Sequence, residues 1–103
     1  MNWQASPETD EDLIAARDFI AVDNESAARD FLDAAFEAFD RLAHFPEMGR
    51  GVPEFHRPEL REVIHRSYRV IYRVKREVEA VEIVRFWHGA RGFPHLPTAL
   101  SRD

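Results

Sequence analysis

The clearest hydrophobic pattern in the chain lies between residues 26 and 44. Charged residues fill most positions there, while small and large apolar side chains recur at steps of three and four residues. These apolar positions are Ala28, Phe31, Leu32, Ala35, Phe39 and Leu42. Such spacing places them on one face of an α-helix. The pattern therefore predicts an amphipathic helix that ends before Phe45 and Pro46.

A second, earlier helix is predicted over about residues 7 to 21. Ser6 can cap its first turn, and Pro7 suits the first helical position, where a backbone N–H has no intrahelical partner. Apolar residues then repeat at helical spacing at Leu13, Ala16 and Ile20. Only about four residues separate the two helices, so the sequence predicts an antiparallel helical hairpin.

The second half of the chain has the alternating pattern of strands. Segments at about 60–66, 68–75 and 80–88 show it, and residues 2–5 can form a short first strand. The later strands are joined by short links, so they should pair antiparallel. Residues 46–59, with three prolines and two glycines, are predicted as a loop. The expected fold is α+β, in the order β-α-α-β-β-β, with the helical hairpin packed on a small, mainly antiparallel sheet.

Length and composition narrow the class of protein. The 103 residues suit one domain, which we assign to residues 1–92, with a proline-containing tail over residues 93–103. The chain has no cysteine and its histidines show no ligand spacing, so we expect neither a metal nor another cofactor. No apolar run approaches the roughly 20 residues that span a bilayer, and the acidic N-terminus is unlike a signal peptide. We therefore expect a cytoplasmic protein without membrane contact.

The charge is distributed unevenly along the chain. Residues 1–46 carry 11 acidic and 3 basic side chains, a net charge of −8, whereas residues 47–103 carry 8 acidic and 11 basic ones, a net charge of +3. The total of −5 argues against general nucleic-acid binding, which requires a basic excess. Partners at the two ends of the molecule are therefore expected to differ.

The strand at 68–75 separates two kinds of side chain. Its two alternating sets are Tyr68, Val70, Tyr72 and Val74, and Arg69, Ile71, Arg73 and Lys75. We expect the first set to pack beneath the helices. The second set is either a solvated face or a surface for a protein partner, and the apolar Ile71 among the cations favours a partner that brings both acidic and apolar side chains.

Four segments together resemble the ParE/RelE superfamily of bacterial toxins. They are "AARDFLDAAFEAFDRLAHFPEMGR", the Leu60-Arg61 pair, "YRVIYRV" and "VEIVRFWHGAR". The order and spacing are most similar to the ParE-like branch, often called plasmid-stabilisation proteins, over residues 7–92. The resemblance implies the toxin of a type II toxin–antitoxin system, neutralised in a hetero-oligomer by a ParD-like antitoxin. It also implies inhibition of DNA gyrase by binding, without enzymatic activity.

The resemblance leaves two alternatives open. One is a ribosome-dependent mRNA endoribonuclease of the RelE type, and the other is a non-toxic relic that still binds an antitoxin. A nuclease needs proton-transfer groups and cations, for which the candidates are Arg61, Tyr68, Arg73, His88 and Arg91. RelE-like nucleases typically carry lysines on the sheet and a tyrosine near the C-terminus. This chain has the single lysine Lys75 and no tyrosine after Arg91, which counts against the nuclease alternative.

The candidate residues for antitoxin binding lie on the three predicted strands of the second half of the chain. They are Arg61, Arg69, Ile71, Arg73, Arg85 and Trp87. Each also has a purely structural interpretation. Arg61, for example, can hold a carboxylate of the helical hairpin instead, and His88 can serve as a hydrogen-bonded structural residue at a strand end.

Overall fold

Two helices pack on one face of a five-stranded sheet in the computed structural model, which describes residues 1–92 and 94–97. The elements are β1 (Asn2–Ala5), α1 (Pro7–Ala21), α2 (Glu25–His44), β2 (Arg50–Gly51), β3 (Leu60–His65), β4 (Tyr68–Lys75) and β5 (Ala80–His88). The strand order is β1-β5-β4-β3-β2, with β1 parallel to β5 and every other pair antiparallel. The predicted α+β fold is confirmed, and the bounds of the helices agree with prediction to within one residue.

The predicted loop at 46–59 contains one additional strand. β2 pairs antiparallel with β3 and is the fourth strand of the antiparallel part of the sheet. A short 3-10 turn follows at Pro53–Phe55. Tyr72 holds this segment, because its hydroxyl donates to the Pro46 carbonyl at 2.8 Å and accepts from the Gly49 N–H at 2.8 Å. A Cβ atom on Gly49 would lie 2.5 Å from that hydroxyl oxygen. Glycine is required here because the loop backbone lies directly on the Tyr72 ring.

The sheet buries apolar side chains on both faces. The core on the helix side contains Leu13, Ala16, Phe31, Ala35, Phe39, Leu42, Val70, Tyr72, Val81, Ile83 and Phe86. A smaller core on the second face contains Val52, Leu60, Ile71 and Val84, with Phe55 and Leu96 packed against it. The two sets of side chains on β4 therefore both contribute apolar residues to a core. The loop before β3 and the segment 94–97 cover the second face.

Side chains from the start of α1 complete the edge of β5 where β1 ends. The Ser6 hydroxyl donates to the Val84 carbonyl at 2.8 Å, and the Thr9 hydroxyl donates to the Ile83 carbonyl at 2.8 Å. One turn later, a carboxylate oxygen of Asp12 accepts the Phe86 N–H at 3.0 Å. These contacts fix α1 against β5 and replace the backbone partners that a longer β1 would supply.

The C-terminal segment is described only in part. Pro94 and Pro97 are buried, and Leu96 packs on the core of the second face. The remainder of the predicted tail, residues 93 and 98–103, lies outside the described residues. The boundary between domain and tail near residue 92 remains a prediction.

Candidate functional site

The arginines of the second sheet face are paired within the chain. Arg69 donates from Nε and an Nη to the two carboxylate oxygens of Glu62, both at 2.9 Å, and it also pairs with Glu54 at 2.8 Å. Glu62 is only 1% exposed. Arg73 donates to Glu82 at 2.7 Å. The hydrogen bonds from Arg69 to Glu62 raise the pKa of the arginine.

A second set of contacts links β5 to α1 through Asp12. Arg85 donates to both Asp12 carboxylate oxygens, at 2.8 and 2.7 Å, and to the His95 carbonyl at 2.7 Å. The hydrogen bonds to Asp12 raise the pKa of Arg85. The guanidinium carbons of Arg85 and Arg91 lie 4.5 and 4.1 Å from the centre of the Trp87 ring. Trp87 is thereby enclosed by two cations and by the segment around His95.

These contacts locate the six predicted partner-binding residues. Ile71 is buried in the second core, and Trp87 is 4% exposed. Arg61 donates to the carbonyls of Glu47 and Gly49 at 3.3 and 2.8 Å, so its partners are backbone oxygens and not a carboxylate of the hairpin. A partner reaches Ile71 only if the covering segments move. The role of this face in binding stays a prediction.

An open cleft of about 620 Å³ lies on the other side of the molecule, between α1 and the ends of β4 and β5. Its wall on α1 includes Ala15, Ala16, Phe19 and Ile20, and its other lining residues include Phe31, Arg66, Ser67, Tyr68, Phe86, His88 and Arg91. We call it the α1/β5 cleft. Phe19 also lines this cleft and is 80% exposed to solvent. The cleft combines an apolar interior with exposed cationic residues.

Aromatic stacking shapes the inner end of the α1/β5 cleft. The Tyr68 ring stacks on Phe86 with centroids 4.5 Å apart, and His88 meets Tyr68 edge-on at 4.9 Å. His88 Nδ1 accepts the Ala90 N–H at 3.0 Å, which gives this histidine a structural role at the end of β5. Burial raises the pKa of Tyr68, so its phenol stays protonated at neutral pH.

The five nuclease candidates do not form one site. Tyr68, His88 and Arg91 line the α1/β5 cleft, whereas Arg61 bonds the loop after α2 and Arg73 pairs with Glu82 on the second sheet face. A phosphate held near Tyr68 would meet one of the three candidate arginines. Together with Arg66, Arg91 gives the cleft two cations beside its proton-transfer groups, whereas Arg61 and Arg73 are engaged elsewhere.

A second, smaller groove of about 360 Å³ lies on the outer side of the helical hairpin. Its lining residues are Trp3, Asp10, Leu13, Ile14, Arg17, Leu32 and Phe36. We call it the hairpin groove. Sequence reasoning missed both depressions, although the exposed apolar residues Ile14 and Phe19 lie beside the helical stripe and were the available signal.

Within residues 1–92 and 94–97, no three His, Asp or Glu side chains are grouped in a way that holds a metal ion. In the same part of the chain, no helix is both long and apolar enough to cross a bilayer.

Comparison with known proteins shows which family the chain belongs to. The family model described as the ParE toxin of the type II toxin–antitoxin system parDE matches residues 4–93. The chain belongs to the ParE toxin family. The predicted membership in the ParE-like branch is confirmed. A comparison with curated proteins finds no match.

A solved structure of the chromosomal ParDE system from P. aeruginosa is similar to this toxin. The TM-score is 0.69 at 21% sequence identity, and the alignment covers 85% of this chain and 95% of the other. At that identity the likeness establishes the shared fold.

Proposed function

We propose that this ParE family toxin acts in the cytoplasm by binding and inhibiting DNA gyrase, and that a ParD-like antitoxin neutralises it in a hetero-oligomer. The observation that carries the proposal is the match of the ParE toxin model to residues 4–93. The internal pairing of Arg69, Arg73 and Arg85 supports a mode of action by binding, because those cations are engaged with carboxylates of the same chain.

The α1/β5 cleft supports the antitoxin part of this proposal. Its interior is apolar, while Arg66 and the half-exposed Arg91 supply positive charge at its mouth. An amphipathic helix with acidic residues flanking its apolar face matches both properties. We therefore propose that a helical segment of the antitoxin occupies the cleft.

We also propose that an extended segment of the antitoxin contacts the second sheet face. The proposed residues on this face are Arg69, Ile71, Arg73, Arg85 and Trp87. The sixth predicted residue, Arg61, lies opposite Tyr72 and therefore on the helix side of the sheet. Because Ile71 and Trp87 are buried, this contact requires displacement of segment 94–97 or of the loop before β3. The α1/β5 cleft, by contrast, is open in the toxin alone.

The two parts of the proposal are tested with one preparation. The toxin is purified with its neighbouring antitoxin, separated and assayed for inhibition of gyrase supercoiling and for accumulation of cleaved DNA. We expect inhibition that added antitoxin reverses. Unimpaired gyrase together with mRNA cut on ribosomes would support the nuclease alternative, and absence of any growth effect would support the antitoxin-binding relic.

Antitoxin binding is tested with matched surface variants. Phe19→Ser combined with Arg66→Glu removes an apolar and a basic contact at the cleft, and we expect the dissociation constant for the antitoxin to rise at least tenfold. The control is Val78→Ser combined with Arg76→Glu, which alters one exposed apolar and one exposed basic residue outside the cleft. Equal affinities of the two variants would contradict the assignment of the cleft.

A further inference from the structure

The hairpin groove presents a rigid apolar surface to solvent. Trp3 stacks on Phe36 with centroids 5.8 Å apart and planes 14° from parallel, and it meets Phe39 edge-on at 5.0 Å. The indole N–H donates to a carboxylate oxygen of Asp40 at 2.8 Å. Trp3 is thus fixed from three sides. An aromatic side chain that is already ordered loses little entropy when a partner binds to it.

Two apolar side chains of the groove are open to solvent. Ile14 is 48% exposed and Phe36 is 38% exposed. Both line the groove, Ile14 from α1 and Phe36 from α2, together with the partly buried Leu32. Neither side chain is required to close the main core, whose buried members lie on other helix positions.

The charge around the groove is negative. Asp10 is part of its lining, and Asp33 and Asp40 lie three and four residues from Phe36 on the same side of α2. Arg17, the cation in the lining, pairs with Asp18 at 2.9 Å, and Arg29 lies one turn before Asp33. The net charge of −8 over residues 1–46 places this groove in the acidic half of the molecule.

The hairpin groove is separate from the α1/β5 cleft. The cleft uses Asp12, Ala15, Ala16, Phe19 and Ile20 of α1, whereas the groove uses Asp10, Leu13, Ile14 and Arg17. At 100° per residue, the centres of these two sets are about 140° apart around the helix axis. A ligand in one depression therefore leaves the other accessible.

We propose that the hairpin groove binds a basic amphipathic segment of the protein that the toxin inhibits. The apolar residues of that segment contact Trp3, Ile14 and Phe36, and its lysines or arginines face Asp10, Asp33 and Asp40. The acidic surroundings repel an acidic antitoxin helix and a nucleic-acid backbone, and they accelerate association with a basic partner. The inference rests on the proposed function, in which gyrase is that protein.

The test compares two groove variants with one control. Ile14→Ser with Phe36→Ser removes the apolar contacts, and Asp10→Asn with Asp33→Lys changes the charge without touching the core. Val78→Ser is the control, because Val78 is an exposed apolar residue far along the chain, in the turn after β4. Each protein is measured for inhibition of purified gyrase, for growth arrest on expression, and for antitoxin affinity.

We expect both groove variants to need at least tenfold more protein for half-maximal inhibition of gyrase, with antitoxin affinity unchanged. The charge variant should also show a weaker dependence of association on salt. Inhibition by both variants equal to that of Val78→Ser overturns the groove as the target site and leaves the proposed function intact.

The remaining outcomes separate the groove from the choice of target. If the unaltered toxin does not inhibit gyrase, the proposed target is wrong. The role of the groove is then tested by whether the groove variants still arrest growth. Arrest that both groove variants have lost supports the groove with a different target, and arrest that they retain overturns it. Absence of arrest by the unaltered toxin overturns both proposals.

Discussion

Replacement of Asp12 by asparagine should destabilise the toxin more than any other single charge removal on α1. Asp12 is nearly buried, with 6% of its side chain exposed, and it accepts from Arg85 through both oxygens and from the Phe86 N–H. Asparagine keeps the size of the side chain and one acceptor oxygen. Its amide group, however, places N–H donors against the N–H donors of Arg85.

The size of the expected loss in folding stability follows from the burial of the Asp12–Arg85 ion pair. Removal of one partner of a buried ion pair costs about 3–5 kcal/mol, because the other charge remains without compensation. Arg85 keeps its bond to the His95 carbonyl and its contact with Trp87, so we expect the lower end, about 3 kcal/mol. A domain of this size gains about 5–15 kcal/mol on folding. The corresponding fall in melting temperature is about 12–24 °C.

Urea denaturation followed by tryptophan fluorescence measures this effect, since Trp87 lies against Arg85. Asp18→Asn is the matched control, because Asp18 is on the same helix in an exposed pair with Arg17. Combined with Arg85→Gln in a double-mutant cycle, Asp12→Asn should show a coupling energy of at least about 1.5 kcal/mol. A stability of Asp12→Asn within about 0.5 kcal/mol of the control would refute the reasoning.

Three other changes test the packing of the second face and of the loop. Gly49→Ala should cost about 2–3 kcal/mol in urea denaturation, because the added Cβ meets the Tyr72 hydroxyl, and Gly51→Ala, whose added Cβ enters open space, is the control. Glu62→Gln should cost about 3 kcal/mol and lower the melting temperature, because Arg69 loses its buried charge partner; a change as small as that of the exposed Glu59→Gln would contradict this. Burial lowers the pKa of His65 in the folded state, so the unfolded chain takes up a proton first and stability falls as the pH drops below about 6.5. His65→Gln should flatten this dependence between about pH 7 and 5, and an unchanged slope would show that His65 is not its source.

Most of the fold was predictable from the sequence because its signals are local. The stripe on α2 and the alternation on β4 determine the helix and the strand, and the caps at Ser6 and Asn24 fix where the helices start. β2 was not predictable in this way. Its two residues become a strand only because Tyr72, more than 20 residues later, holds the preceding loop on the sheet.

The candidate sites were harder to predict than the fold. The sequence places Arg69 and Arg73 on one side of β4, but it does not reveal that Glu62 and Glu82 of the adjacent strands neutralise them. Asp12 is a comparable case, since its position between exposed acidic residues of α1 gives no sign that β5 encloses it. Pairings of this kind depend on the register between strands and helices that are far apart in the chain.

The parallel pairing of β1 with β5 has a consequence for when the fold is completed during synthesis. Asn2 pairs with Ala80, so at a synthesis rate of about 5–20 residues per second the first strand waits roughly 4–15 seconds for its neighbour. Phe86 and His88 of the α1/β5 cleft belong to this late strand. The α1/β5 cleft is therefore incomplete on a nascent chain that stops before β5. A helix that occupies the cleft, as we propose for the antitoxin, can therefore bind only after β5 has been synthesised.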